Sequence, residues 1–348
     1  MLKNMKDKMN KKYILLIMTI LMVVVIILAT AIGAVSVPFL ETCKIILKNL
    51  GLISGGSIPA NQESIIFYIR FPRVIIATMV GASLAVSGGV MQGMFRNPMA
   101  DPGIIGVSSG AGLGAVIVIA LGLSSKGLYY MPFAAIIGAL SAAFIIFLLS
   151  SRNGKIPVLT LVLSGVAVST FIGSITSLIL TAINEHQVSE FLFWSVGGLS
   201  GRRWEHVRLA FLPILICTII LIFYSTELNI LVLGEEEAQS VGVNPTRIRK
   251  KLLFFTSINT AMAVCVSGNI SFVGLIVPHI MRLIVGPDNR ILLPASAIGG
   301  AIFLVLCDLI SRTVIMPAEI GVGIVTSLVG APYFLYLLNK ARKEGVAL

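Results

Sequence analysis

The sequence predicts an all-α polytopic membrane protein of about ten transmembrane helices, and three observations predict it. First, 57% of the 348 residues are hydrophobic and only 12% are charged, with a mean hydropathy of +0.99, whereas soluble domains are about a quarter charged. So few charges cannot cover a water-facing surface, which excludes an ordinary cytosolic enzyme. Second, nine stretches lack Asp, Glu, Lys and Arg altogether, and roughly 20 helical residues cross a hydrocarbon core about 30 Å thick. Third, both ends are basic: Lys3, Lys6, Lys8, Lys11 and Lys12 at one, Lys340, Arg342 and Lys343 at the other.

No polar linker or shift of composition divides the chain, so residues 1–348 read as one membrane domain. Tyr13 to Leu40 is too long for a signal-peptide core and predicts a retained first span over 13–37. Val74 to Phe95 predicts a second span, 74–95. Pro102 to Ser125 predicts a third, 102–123, in which Gly106, Gly110 and Gly114 recur every four residues and clear one helix face for close packing. Gly127 to Ser151, Ile156 to Asn184 and Leu209 to Thr226 predict spans 131–150, 157–183 and 208–226. The stretch from Leu252 through Pro287 is 36 residues long and holds Gly268, Asn269, Ser271 and Gly274 near its middle. A turn there predicts two helices, 252–270 and 273–286. The last two spans, 291–311 and 320–339, follow from Ile291 to Cys307 and Ile320 to Asn339.

Ten crossings leave both termini on one side, and the positive-inside rule places that side in the cytoplasm. Seventeen of the 26 basic residues then lie inside. The basic residues are strewn between apolar runs rather than gathered on one face, so topology explains the net charge of +11 and nucleic acid does not. Cys43, Cys217, Cys265 and Cys307 are far apart, which indicates neither a disulfide framework nor a thiolate metal site.

The largest polar insertion, 227–251, contains Glu235, Glu236 and Glu237 opening a short helix, Gly242 as a plausible C-cap and Pro245 behind it. Such a helix is either a solvated loop element or a docking element for a cytoplasmic partner. At the outer side Arg70 and Arg73 stand at the mouth of the second span and Arg202, Arg203 and Arg208 fill another loop. Arginines there either snorkel to headgroups or capture an acidic partner or anionic substrate. Asp308 and Arg312 share a helix face four residues apart and predict a mutual pair, since a lone charge at mid-bilayer costs about 2.5–3.5 kcal/mol. His279 has no carboxylate at ligand spacing and reads as a packing residue rather than a metal ligand. Asp101 and Glu319 each follow Pro and Ala and precede a glycine-opened helix on opposite sides of the membrane, a faint echo of an inverted repeat. No Walker A motif occurs, so ATP-driven work would fall to a partner.

The ordered blocks GASLAVSGGVMQGMFRNPMADPGIIGVSSGAG, GEEEAQSVGVNPTR, GNISFVGLIVPHIMRLIVGPDNRILLPASA and PAEIGVGIVTSLVGAPYFLYLL resemble the FecCD-type permeases of bacterial ABC importers, from about Ile69 to the C-terminus. That family takes up ferric siderophores, haem and cobalamin. The resemblance implies type II ABC importer architecture and a dimer with a second copy or a sister permease. It also implies two cytoplasmic ATP-binding subunits, which hold the ATP and Mg, and an extracytoplasmic substrate-binding protein. No cofactor, metal or catalytic residue is expected on this chain, which is not an enzyme, and its place is the cytoplasmic membrane of a prokaryote. Carried over residue by residue, Arg70, Arg73 and Arg312 match the family's docking arginines for the binding protein. Glu235, Ala238, Val241, Gly242 and Arg247 match its ATPase-coupling segment. The cytoplasmic gate falls on Asn97, Pro98 and Pro102 with Ile156, Pro157 and Val158. The second gate loop departs from the polar Ser/Thr pattern of cobalamin permeases, which weakens the cobalamin reading slightly; a ferric siderophore or another iron chelate is expected, with cobalamin or haem as the alternative. An ion-coupled transporter would want uncompensated acids at mid-membrane, where Asp308 is a thin case. An intramembrane enzyme would want a nucleophile or metal constellation that is missing from the sequence.

Overall fold

The computed structural model describes residues 2–53, 59–151 and 157–344. Among them the structure is helical throughout, with no strand. Helix α1 (Leu2–Ala31) is followed by a short amphipathic helix, α2 (Phe39–Asn49), whose Ile45 and Ile46 pack with Val37, Ile66 and Phe71. The next helix is continuous from Ala60 to Phe95: α3 (Ala60–Glu63), a wide-turned π segment (Ser64–Arg70) and α4 (Phe71–Phe95). It starts fourteen residues before the predicted span. Pro72, which lacks an amide proton, sits in the first turn of α4, and the π segment lies immediately before it.

Helix α4 is the axis of the bundle, buried along nearly its whole length. Beyond Arg96, which closes it in the left-handed region at φ 52°, a single 3₁₀ turn (Pro102–Ile105) precedes α5 (Val107–Ala120). The predicted span 102–123 is therefore broken and shortened, because Gly106 adopts φ +71° between the two pieces. Helix α6 (Tyr130–Ser150) lies against α5, and α7 (Val158–Ala182) follows. Helix α8 (Glu185–Val196) occupies a stretch read from the sequence as loop. A capping box of Asn184 and Gln187 opens it, and Gln187 Nε2 donates to the Ile119 carbonyl at 2.7 Å, tying α8 to the end of α5.

Helix α9 (Trp204–Phe223) leads into two short helices, α10 (Ser225–Leu233) and α11 (Glu235–Ser240), and then α12 (Pro245–Ser267). After the expected turn come α13 (Val273–Val285), α14 (Asn289–Ser311) and α15 (Val322–Glu344). Each of the ten predicted segments thus holds a helix. Among the described residues six helices are long and apolar enough to cross a membrane, and α5, α13 and the first part of α15 are shorter apolar helices.

Small residues let the axis be approached closely. A methyl group on Gly81 would strike the Gly300 carbonyl of α14, and one on Gly88 would strike the Gly274 backbone of α13. Gly110 and Gly114 meet Gly138 and Ala134 of α6 in the same way, so the glycine repeat is a helix contact within this chain. At the centre Asn259 donates to the Ser83 carbonyl and the Ser87 hydroxyl, both at 3.2 Å, and accepts from Thr218 at 3.4 Å, joining α12, α4 and α9. Large side chains such as Leu16, Leu148 and Phe171 stay exposed on the outside, as a lipid-facing surface permits.

Candidate functional site

Two polar assemblies sit at opposite ends of α4. Arg73 lies in its first turn and Arg96 just past its last, about 35 Å apart at 1.5 Å per residue.

At the first end four charged side chains form one network. Arg73 Nε donates to both Asp308 oxygens at 2.9 and 3.2 Å, and Arg73 Nη1 to both Glu319 oxygens at 2.9 Å. Arg312 Nε stands 3.4 Å from Asp308. Arg70 and Arg312 also cap α1: Arg70 donates to the carbonyls of Ala31 at 2.7 Å and Val35 at 2.5 Å, and Arg312 to those of Ile32 at 2.8 Å and Ala29. Two cations thereby satisfy the orphan carbonyls at the negative end of the α1 dipole.

The sequence places Arg70 and Arg73 at the mouth of a span, facing water, and the structure corrects that. Arg70, Arg73 and Arg312 are 7%, 8% and 7% exposed and Asp308 is fully buried: Asp308 of α14 pairs with Arg73 and Arg312, Glu319 of the α14–α15 connection pairs with Arg73, and Arg70 is held by the carbonyls at the end of α1. The predicted Asp308–Arg312 pair is likewise part of a larger set. Glu319 is its most open member, with 37% of its side chain exposed. Burial pushes the Glu319 carboxyl up, but the hydrogen bond and charge of Arg73, a hydrogen bond from Ser200 and the charge of Arg312 together leave it below its ordinary value. Arg202 instead contacts His206, with Nη1 3.2 Å from the ring Nε2. His279 packs edge-on against Tyr333 of α15.

At the other end Arg96 Nε and Nη2 both donate to the Leu231 carbonyl, at 3.2 and 3.0 Å. The loop that Arg96 opens is thus fastened to α10. Within it Asn97 is exposed and accepts from the Met99 amide at 2.8 Å, Pro98 is half-buried, and Asp101 accepts from the Gly103 amide at 2.7 Å ahead of the buried Pro102. Asp101 also borders a cavity of about 210 Å³ shared with Ser108, Thr260, Asn269 and Ser271. The Thr260 hydroxyl lies buried there without a hydrogen-bond partner. Of the second gate stretch, Ile156 lies outside the described residues, Pro157 is exposed and Val158 begins α7. Where α7 meets the first loop, the contact falls further along, at Gly165 against the Ile104 carbonyl.

The predicted coupling stretch is two helices and a cap. Gly234 separates α10 from α11, and Glu235 ion-pairs with Arg249 of α12. Val241 is 64% exposed, Gly242 turns the chain at φ +83° with open space around it, and Arg247 is exposed at the start of α12, where its amide is capped by Asn244 at 3.0 Å. Ala238 is a correction. It is fully buried in the hydrophobic core, so its methyl group anchors α11 and is not available to a partner. Asn229 of α10 donates to Asp288 at 2.8 Å and accepts from the Asn289 amide at 2.9 Å, fixing α10 to the start of α14. Sequence reasoning missed the roles of Arg96 and Asn229. A basic residue directly after a long apolar helix was the available signal for the first, and the second had none, its partners being about sixty residues away.

These features define a polytopic membrane transport subunit of the type II ABC importer permease architecture. The chain belongs to the FecCD transport family, whose description matches residues 21–340. It is 46% identical over 282 residues to the cobalamin import system permease protein BtuC of Halobacterium salinarum, covering 81% of this chain and 75% of that one. It is 43% identical over 279 residues to the hemin transport system permease protein HmuU of Yersinia pestis, covering 79% and 83%. Among solved structures, an inward-facing one described as of metal-chelate type ABC transporter superposes with a TM-score of 0.83 at 34% identity, covering 94% of this chain and 99% of that one. The relatives are permease subunits, and the chain is accordingly not an enzyme itself.

Proposed function

We propose that this chain is the permease of an ATP-driven importer that carries an iron chelate, a ferric siderophore or a related complex, across the cytoplasmic membrane of a prokaryote. The observation that carries the reading is the bonding of α10 on two sides, by Arg96 to the loop holding Asn97, Pro98 and Pro102, and by Asn229 to the start of α14. An ATP-binding subunit pressing on Val241, Gly242 and Arg247 would move α11 and α10, and that movement would reach the gate loop through Arg96. Two such subunits, holding ATP and Mg, would serve two permeases, the second being a copy or a sister chain. Both termini would be cytoplasmic, with ten crossings.

At the other face a substrate-binding protein would dock over the arginine cluster. Glu319 occupies Arg73 in a bidentate pair that an acidic side chain of the partner can imitate and exchange with, so docking would trade one carboxylate for another. Alternating exposure of a cavity between the two permeases would then pass the cargo inward.

Iron chelates are favoured by the likeness to a structure described as of metal-chelate type, with haem as an alternative on 43% identity to a hemin permease. Cobalamin is the second reading, on 46% identity to a cobalamin permease. Gentle affinity purification from the native membrane, with mass spectrometry of retained proteins and metal complexes, tests both. An ATPase and a binding protein loaded with ferric chelate are expected. A corrinoid on that binding protein would replace the first substrate reading by the second, and repeated recovery of neither partner, even after crosslinking, would remove the importer reading.

A further inference from the structure

A groove of about 900 Å³ runs between α6, α7 and α12 beside Tyr224 of the α9–α10 junction, walled by Phe144, Phe147, Leu161, Phe254 and Ile258. Its size is toward the upper end of the range of roughly 300–1,000 Å³ typical of sites that enclose a ligand. The wall is almost entirely apolar, and Phe144 and Phe254 are 62% and 59% exposed in it. Only one end is charged. There Lys250 and Lys251 line the groove, with Lys250 Nζ 6.0 Å from the Phe147 ring centre and Lys251 Nζ 5.5 Å from that of Tyr224. Neither lysine forms an ion pair among the described residues, whereas their neighbour Arg249 is taken by Glu235.

The sequence of α12 fixes the depth. Polar residues from Pro245 to Lys251 give way at Leu252 to an apolar run, so the two ammonium groups stand where helix leaves water and enters hydrocarbon. An apolar slot at bilayer depth beneath two unpaired cations matches an amphiphile whose tail is hydrocarbon and whose head is anionic. We propose that this groove is a specific site for an acidic phospholipid, with an acyl chain along Phe144, Leu161 and Phe254 and the phosphate held by Lys250 and Lys251. Aromatic faces hold both ammonium groups over the mouth, which limits the rotamer freedom lost when phosphate arrives. Zwitterionic lipid fits the slot equally but brings its own ammonium against the lysines.

The full chain, purified in detergent and examined by native mass spectrometry with added dioleoyl phosphatidylglycerol or phosphatidylcholine, tests this. A preference for phosphatidylglycerol of roughly tenfold or more is expected, since each basic side chain near the surface contributes about fivefold. Lys250→Gln with Lys251→Gln should abolish the preference, and Lys126→Gln, an exposed lysine of another loop, should keep it. Ala143→Trp, which fills the groove, should reduce binding of both lipids while far-ultraviolet circular dichroism stays helical. Equal binding of the two lipids by the unaltered chain would overturn the proposal. So would a preference that survives the double lysine variant, or a crosslink from position 254 showing a protein partner seated in the groove.

Discussion

Replacing Arg73 by Ala separates an ionic account of the arginine cluster from a merely decorative one. Arg73 gives two hydrogen bonds to Asp308 and two to Glu319, all between 2.9 and 3.2 Å. Asp308 has no exposed surface, so the variant leaves a buried carboxylate facing only Arg312, whose Nε is 3.4 Å away. Removing one partner of a buried ion pair costs about 3–5 kcal/mol, most of it the stranded charge. Glu319, 37% open, can turn to water and adds little to that loss. Arg73→Ala is therefore expected to be destabilised by about 3–5 kcal/mol, a shift of two to three and a half powers of ten in the unfolding equilibrium at 1.4 kcal/mol for each. Arg73→Met combined with Asp308→Leu should recover part of the loss, because no carboxylate is then stranded and Arg312 keeps the carbonyls of Ile32 and Ala29. Equilibrium unfolding in mixed micelles, followed by tryptophan fluorescence over the double-mutant cycle, measures both quantities. Additive effects of the two substitutions, or a loss under about 1 kcal/mol for Arg73→Ala, would refute the reasoning.

Three further outcomes follow from other parts of the molecule. Gly88→Ala should prevent α4 from seating on α13, because the new methyl group meets the Gly274 backbone; a stable monodisperse protein on size exclusion would contradict that contact. Arg96→Ala should lower substrate transported per ATP hydrolysed by severalfold in a reconstituted importer while leaving the fold intact, since a charged hydrogen bond contributes about 1.5–3 kcal/mol before solvent discounts it; Gly242→Val, forced to φ +83°, should uncouple in the same assay, and normal ratios for both would remove the coupling route. Asp288 is held down at about 2, first by Arg290, then with help from Asn229 and against the opposing effect of burial. A depressed carboxyl stabilises the fold above its unfolded value near 3.9 and loses that contribution as pH falls toward 2, so thermal unfolding of the unaltered chain minus Asp288→Asn should narrow between about pH 4 and pH 2.

The ten helices were legible because charge-free length is a one-dimensional property, and the break at 268–274 was legible because Gly268, Asn269 and Gly274 interrupt it. Helix α8 was not legible, since Glu185, His186 and Glu190 make its sequence polar, and what holds it, Gln187 on the Ile119 carbonyl and the buried Phe191 and Trp194, depends on distant parts of the chain. Arg70, Arg73 and Arg312 were singled out by the resemblance of their surroundings to the family's motifs. Their burial was invisible because Asp308 and Glu319 lie more than two hundred residues from Arg73 in the chain. Ala238 shows the same gap at closer range: a six-residue helix has an inner and an outer face, and composition does not say which is which.

The central claim is that ATP hydrolysed by a partner, not an ion gradient, drives import through this chain. Proteoliposomes holding the permease with the ATPase and binding protein expected to co-purify with it, loaded with ferric chelate, measure it directly. Uptake is expected when ATP is supplied on the ATPase side with all ion gradients collapsed, and no uptake is expected with an inactive ATPase. Accumulation driven by a proton or sodium gradient without ATP would contradict the account.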